Sequence, residues 1–150
     1  MSLYSIALFV HIVGALLLGA LLALEGFTLR SGTTAARLNR TLGPVSLLAI
    51  LIPGFYMAAQ IGWQPWTAVG LVAYALIAAA GAYTGINVGR GRMSPRAATM
   101  SWLIRTGIAL AVVFDMTVKP DLVGSIVAVV VAVAVAMAAA VPTVRMVRAG

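Results

Sequence analysis

Residues 3–27 read LYSIALFVHIVGALLLGALLALEGF, an apolar stretch with a single acidic residue near its end. A helix needs about 20 such residues to cross a hydrocarbon core about 30 Å thick. Further stretches of this kind occupy residues 43–60, 66–88, 98–118 and 122–144. They are continuous and do not alternate, which favours helices over a closed barrel. The sequence therefore predicts an all-α fold, a polytopic transmembrane helical bundle of five spans, as a single integral membrane domain over residues 1–150.

The composition excludes several classes of function. The chain is 63% hydrophobic and 9% charged, whereas a soluble domain carries about 25% charged residues. It has no cysteine, which excludes disulfides, thiol catalysis and thiolate metal sites. The net charge of +7 lies at the ends of the spans, where it sets topology, so we expect no nucleic-acid partner. The sequence contains no signature of catalysis, such as a nucleophile with its base or a phosphate-binding loop, and we predict that the chain is not an enzyme.

The positive charges predict the orientation. Eight of the ten Lys and Arg residues fall on one side if the chain crosses the membrane five times. These are Arg30, Arg37, Arg40, Arg90, Arg92, Arg96, Arg145 and Arg148. The positive-inside rule makes that side cytoplasmic, so the N-terminus lies outside and the C-terminus inside. Trp63, Trp66 and Trp102 suit the aromatic belts at the membrane surfaces. We expect a multi-pass protein of the bacterial cytoplasmic (inner) membrane.

Several polar residues lie in the outer half of the predicted spans. His11, the only histidine, stands four residues before Ala15 on a stripe of small residues, so we expect it to face neighbouring helices. Asp115 lies four residues before Lys119, which predicts that the two share a face near the outer end of the fourth span. This pair is either a helix-end ion pair or part of a substrate site. The whole candidate cluster comprises His11, Tyr56, Met57, Tyr74, Asp115 and Lys119.

His11 has three interpretations. An intramembrane histidine often makes an interhelical hydrogen bond, and Tyr74 and Asp115 lie at depths that match. The imidazole can also ligate haem or copper, or transfer a proton. Met57 and Met116 lie where a soft metal near His11 could use them. The sequence offers no other histidine or cysteine for a metal site, so we expect no cofactor, with haem or copper as the alternative.

Two further charges lie near the inner ends of the spans. Glu25 closes the first span, and Arg105 is seven residues into the fourth. An ion pair is the simplest way to bury either charge, so we predict that Glu25 and Arg105 pair across the first and fourth helices. Such a pair acts either as a structural lock or as a transport gate.

Two segments carry a family resemblance. Residues 9–15, Phe-Val-His-Ile-Val-Gly-Ala, and residues 114–120, Phe-Asp-Met-Thr-Val-Lys-Pro, resemble those of small uncharacterised bacterial predicted integral membrane protein families. Those families look distantly like the membrane part of copper-resistance D-type proteins. The resemblance implies membrane transport or a redox-associated membrane role, and it carries over His11 alone as a functional residue.

Two classes of function follow from these observations. The first is a small transport or channel-type protein for an ion or small solute, favoured by the intramembrane charges and by the Pro53–Gly54 break in the second span. The second is an accessory or scaffolding subunit of a membrane redox complex, favoured by the low polarity of the chain. A haem-binding or copper-binding membrane protein is a third hypothesis. In each case we expect the lipid bilayer as a partner, with the chain a homo-oligomer or a subunit of a larger membrane complex.

Overall fold

Five long helices make up the fold. The computed structural model describes residues 2–31 and 36–146, and the side chains of residues 2–29 and 38–139. The helices are α1 (Leu3–Ser31), α2 (Ala36–Ile61), α3 (Pro65–Gly89), α4 (Pro95–Val118) and α5 (Leu122–Met146). Each is long and apolar enough to cross a membrane, and no strand occurs among the described residues. The predicted all-α fold of five spans is confirmed.

Helix α2 begins earlier than the sequence predicted. The predicted span starts at residue 43, whereas the helix starts at Ala36 and holds Pro44 and Pro53 within it. Hydropathy marks where the hydrocarbon begins, but a helix can continue past that point because its polar side chains reach water. Four of the arginines that predict the orientation have side chains outside the described part of the chain. They are Arg30, Arg37, Arg145 and Arg148.

Short turns join α2 to α3, α3 to α4 and α4 to α5. Gly62 has φ +83° in the α2–α3 turn, a backbone conformation that favours glycine. Ser94 accepts a hydrogen bond from the Ala97 amide at 3.2 Å and begins α4. Asp121 Oδ1 accepts one from the Gly124 amide at 2.8 Å and begins α5. Turns this short make consecutive helices antiparallel.

The two ends of the bundle differ in composition. We call the end that holds the α2–α3 turn, with Trp63 and Trp66, the tryptophan end. The opposite end holds the α3–α4 turn, with Arg90 and Arg92, and we call it the arginine end.

The helices pack as two groups. Helices α1 and α2 form a hairpin, and α4 packs between α3 and α5 to form a three-helix unit. Small residues let the backbones approach: a Cβ built on Gly14 would lie 2.9 Å from Ala49, and one on Gly107 would lie 2.8 Å from the Ala132 carbonyl. Contacts between α1 and α4 join the two groups, while α2 and α3 touch little.

Candidate functional site

A cavity of about 720 Å³ lies between the hairpin and the three-helix unit. Residues of α1, α2, α3 and α4 line it, and it exists because α2 and α3 make little contact. Three exposed residues lie at its tryptophan end, namely Tyr4, Trp63 and Lys119. The half-buried Trp102 lies at its opposite end. This volume is within the range of sites that bind small molecules.

The walls of the cavity are mainly aliphatic and aromatic. Among the described residues the lining includes no acidic side chain, and its one cation is Lys119. A few polar side chains project from these walls. They are Tyr4, His11, Thr67, Tyr74, Thr106 and Thr117, besides Lys119 and the tryptophans. Sites for small apolar molecules commonly combine such walls with a few polar groups that orient the ligand.

His11 is held in one orientation by α2. Its Nδ1 lies 2.9 Å from the Ile50 carbonyl oxygen. A carbonyl only accepts, so Nδ1 carries the proton and, in the neutral ring, Nε2 carries the lone pair. Gly54 makes room for the imidazole, since a Cβ there would lie 3.3 Å from His11 Cε1. The neighbouring Pro53 has no amide hydrogen to donate within the helix.

The partner of His11 differs from the predicted one. The sequence indicated Tyr74 or Asp115, but the hydrogen bond goes to the backbone of α2. Among the described residues no partner contacts Nε2, and the ring lines the cavity. The lone pair of Nε2 is thus available to a ligand.

The remaining members of the predicted outer cluster divide into two sets. Met57, Tyr74 and Lys119 line the cavity with His11, and Met116 lines it as well. Tyr56 and Asp115 do not line it. Most residues that were predicted to lie at a similar depth therefore line one cavity. Depth alone does not specify which side of its helix a residue occupies, so Tyr56 and Asp115 lie elsewhere.

Asp115 and Lys119 do not form the predicted pair. Lys119 caps the C-terminus of α4, and its amide still donates to the Asp115 carbonyl at 2.9 Å. Its own left-handed conformation, with φ 53° and ψ 53°, moves its side chain out of the helical position. Its Nζ lies 5.6 Å from the ring centroid of Trp66 on α3. Asp115 instead faces α5, where it lies beside Ser125, and neither side chain is exposed to solvent.

A pair of charges joins α1 and α4 near the arginine end of the cavity without lining it. Arg105 donates from Nη1 to Glu25 Oε2 at 2.9 Å and from Nη2 to Oε1 at 2.5 Å. The pairing that the sequence predicted across α1 and α4 is therefore present, in the two-bond geometry that arginine makes with carboxylates. Gly81 of α3 makes room for the guanidinium, because a Cβ there would lie 3.3 Å from Nη1.

Trp102 completes the closed end. Its indole Nε1 donates to the Leu22 carbonyl at 2.7 Å. A Cβ on Gly26 would overlap the ring, so the absence of a side chain at Gly26 admits the indole between α1 and α4. The sequence predicted Trp102 for a membrane surface, and in the fold its indole packs against α1. Arg105 follows Trp102 by three residues on α4, and Glu25 lies between Leu22 and Gly26 on α1, so the ion pair lies beside the indole.

Ser46 and Ser125 are buried polar residues that the sequence did not predict. Ser46 is 1% exposed and donates to the Gly14 carbonyl at 3.1 Å, and the Tyr74 side chain lies beside it. Ser125 is 0% exposed. A single serine in an apolar helix gives a weak signal, because it can also bond to its own backbone.

The described residues contain no group of three or more His, Asp or Glu side chains that could hold a metal ion. His11, with Met57 and Met116 lining the same cavity, is the set that a soft metal or haem could use. Comparison of the chain with protein-family models, curated proteins and solved structures finds no match.

Proposed function

We propose that this multi-pass membrane protein binds a small apolar or amphipathic molecule in the cavity and carries it across the membrane. The observation that carries this proposal is the cavity itself, about 720 Å³ in volume and lined by four helices. Its apolar walls favour an apolar molecule over an inorganic ion. An ion would need a lining of carboxylates or carbonyls to replace its hydration shell.

The polar groups of the cavity suit a ligand with one or two polar atoms. His11 presents Nε2 as an acceptor because Nδ1 donates to Ile50. Thr106 and Thr117 offer hydroxyls whose protons already point to carbonyls of their own helix, at 2.9 and 2.7 Å. Their oxygens remain acceptors. A ligand that donates a hydrogen bond, such as an apolar alcohol, phenol or amine, matches these groups.

The closed end supports a carrier over an open channel. A channel needs a continuous path, whereas Trp102 bonds to α1 at the arginine end of the cavity, and the Glu25–Arg105 pair joins the same two helices beside it. A carrier exposes its site to one side at a time, and an ion pair can serve as the gate. Opening that end requires α1 and α4 to separate there, and these helices make a limited contact.

Binding can be measured with N-phenyl-1-naphthylamine, an apolar dye that accepts energy from excited tryptophan. All three tryptophans of the chain line the cavity. Gly19 also lines it, and a Cβ there would meet nothing within 4 Å, so Gly19→Phe places a ring into the free space. Gly85→Phe is the matched control, because Gly85 is equally open but lies away from the cavity. We expect Gly19→Phe to abolish saturable energy transfer and Gly85→Phe to preserve it. Equal transfer in both variants would refute binding in this cavity.

The gate can be tested with a single reporter cysteine, because the chain has none of its own. Thr106→Cys places a thiol in the cavity, and a membrane-impermeant maleimide then reports which side reaches it. We expect labelling from the tryptophan end alone. Adding Glu25→Leu should permit labelling from the arginine end as well. Arg92→Cys, in the exposed α3–α4 turn, is the control for access to that side. Labelling of Thr106→Cys from the arginine end with the ion pair intact would contradict the gate.

A second candidate function is binding of haem or copper at His11. It is favoured by the Nδ1–H bond to Ile50, because metal-ligating histidines usually donate their other ring nitrogen to a carbonyl or carboxylate. His11, Met57 and Met116 would hold the group, which would supply electron-transfer chemistry. The visible spectrum and metal content of the purified protein test it. We expect His11→Gln to remove any bound metal, and a colourless, metal-free wild-type protein from metal-supplied cells would exclude this function.

A further inference from the structure

A second polar site lies on the opposite side of α4 from the cavity. Asp115 is 0% exposed, and neither of its carboxyl oxygens has a hydrogen-bond partner. Ser125 of α5 lies beside it, is also 0% exposed, and has no partner for its hydroxyl. Both side chains are therefore enclosed between α4 and α5. An isolated buried carboxylate is so costly that the group neutralises instead of remaining charged.

Among the side chains that the structure describes, no cation on the neighbouring elements compensates Asp115. Lys119, one turn further along the chain, directs its Nζ to the face of Trp66. Asp121 in the α4–α5 turn accepts from the Gly124 amide and adds negative charge. The described part of α5, residues 122–139, has no titratable side chain. The titratable groups of α3 are Tyr74 and Tyr83, of which Tyr74 lies beside Ser46 of α2.

Arg105 lies too far from Asp115 along α4 to compensate a negative charge there. It precedes Asp115 by ten residues, about 15 Å along a helix, and both of its terminal nitrogens bond to Glu25. A bound metal ion is also disfavoured. Hard cations take six or more oxygen ligands, whereas this site offers two carboxyl oxygens and one hydroxyl. A proton needs one oxygen and leaves the carboxyl neutral.

We propose that Asp115 and Ser125 form a proton-binding site. The Asp115 carboxyl holds a proton in the folded protein at neutral pH, and Ser125 provides the adjacent hydroxyl. The proton exchanges with water at the tryptophan end, because Asp115 lies three residues before the last residue of α4, about 4.5 Å along the helix axis. This site shares no residue with the cavity, so the inference stands independently of the function proposed for the cavity.

Infrared spectroscopy tests this directly. A protonated carboxyl has a C=O stretching band that a carboxylate lacks, and a maltoside detergent has no ester carbonyl to obscure it. The chain has three acidic side chains, Glu25, Asp115 and Asp121. Glu25 is paired with Arg105 and Asp121 is exposed, so we expect one band at neutral pH, from Asp115. Transfer to D₂O should shift the band to lower frequency as the proton exchanges for a deuteron.

The variants assign the band. Asp115→Asn should abolish it, while Asp121→Asn and Glu25→Gln should leave it unchanged. Ser125→Ala should shift its frequency without removing it, because the neighbouring hydroxyl is lost. If Asp115→Asn does not fold, persistence of the band in the other two acidic variants still assigns it to Asp115. The proposal is overturned if the wild type shows no band at neutral pH, if the band survives in Asp115→Asn, or if D₂O leaves it unshifted.

Discussion

The buried ion pair between Glu25 and Arg105 makes a quantitative prediction about how α1 and α4 are held together. The side chains are 15% and 5% exposed, and two hydrogen bonds join them. We consider Glu25→Leu, Arg105→Met and the double variant. Removing one partner of a buried pair costs about 3–5 kcal/mol, because the other charge is left without compensation.

The two single variants should differ. Glu25→Leu leaves a guanidinium that cannot lose its proton, so it should cost the full amount of about 3–5 kcal/mol. Arg105→Met leaves a carboxyl that can take up a proton, so its cost should be about 1–3 kcal/mol. The double variant replaces the pair with apolar side chains, so its free energy of unfolding should lie within about 1 kcal/mol of the wild-type value.

Thermal unfolding in detergent, followed by tryptophan fluorescence, measures these costs. A loss of 3–5 kcal/mol corresponds to a fall in Tm of about 10 °C for a chain of this size. Arg92→Gln in the exposed α3–α4 turn is the control and should not change Tm. If the losses in free energy of unfolding of the two single variants add up in the double variant, then the pair does not hold α1 and α4 together.

The other predictions concern helix packing and orientation. Gly14→Ala should destabilise the protein by about 1–3 kcal/mol, because the new Cβ would lie 2.9 Å from Ala49. Gly19→Ala is the control and should leave the stability unchanged, because its Cβ would meet nothing within 4 Å. Equal Tm values for the two variants would contradict this prediction. Ser46→Ala should cost about 0.6 kcal/mol through loss of its bond to the Gly14 carbonyl, again read from Tm. Trp102→Phe should cost about 1 kcal/mol, because it removes the 2.7 Å bond to the Leu22 carbonyl, and an unchanged Tm would show that this bond contributes nothing. A cytoplasm-specific reporter fused to the C-terminus should be active, and activity of a periplasm-specific reporter there would reverse the predicted orientation.

The candidate site could be predicted in part from the sequence. Glu25 and Arg105 could be paired because buried charges need compensation and the chain has few acidic residues to choose from. His11 could be assigned to a helix interface, but its partner is a backbone carbonyl, and every residue of α2 has one. Asp115 and Lys119 have the spacing of a helical pair, yet the left-handed conformation at Lys119 separates them. Pro120 marks the end of the helix, but it does not specify a left-handed conformation at Lys119.

Five membrane-crossing helices could be predicted from the sequence, because hydropathy is a local property and lipid permits few backbone conformations. Which helices touch, and which face of each helix is buried, depends on how the helices pack in three dimensions. In water an apolar stripe marks the buried face of a helix, but in lipid both the buried and the exposed faces are apolar. Leu110 and Val113, for example, are exposed, whereas Ile108 on the same helix is buried. Helix order, and with it the cavity and the separation of Asp115 from His11, follows from close packing at positions such as Gly14 and Gly107.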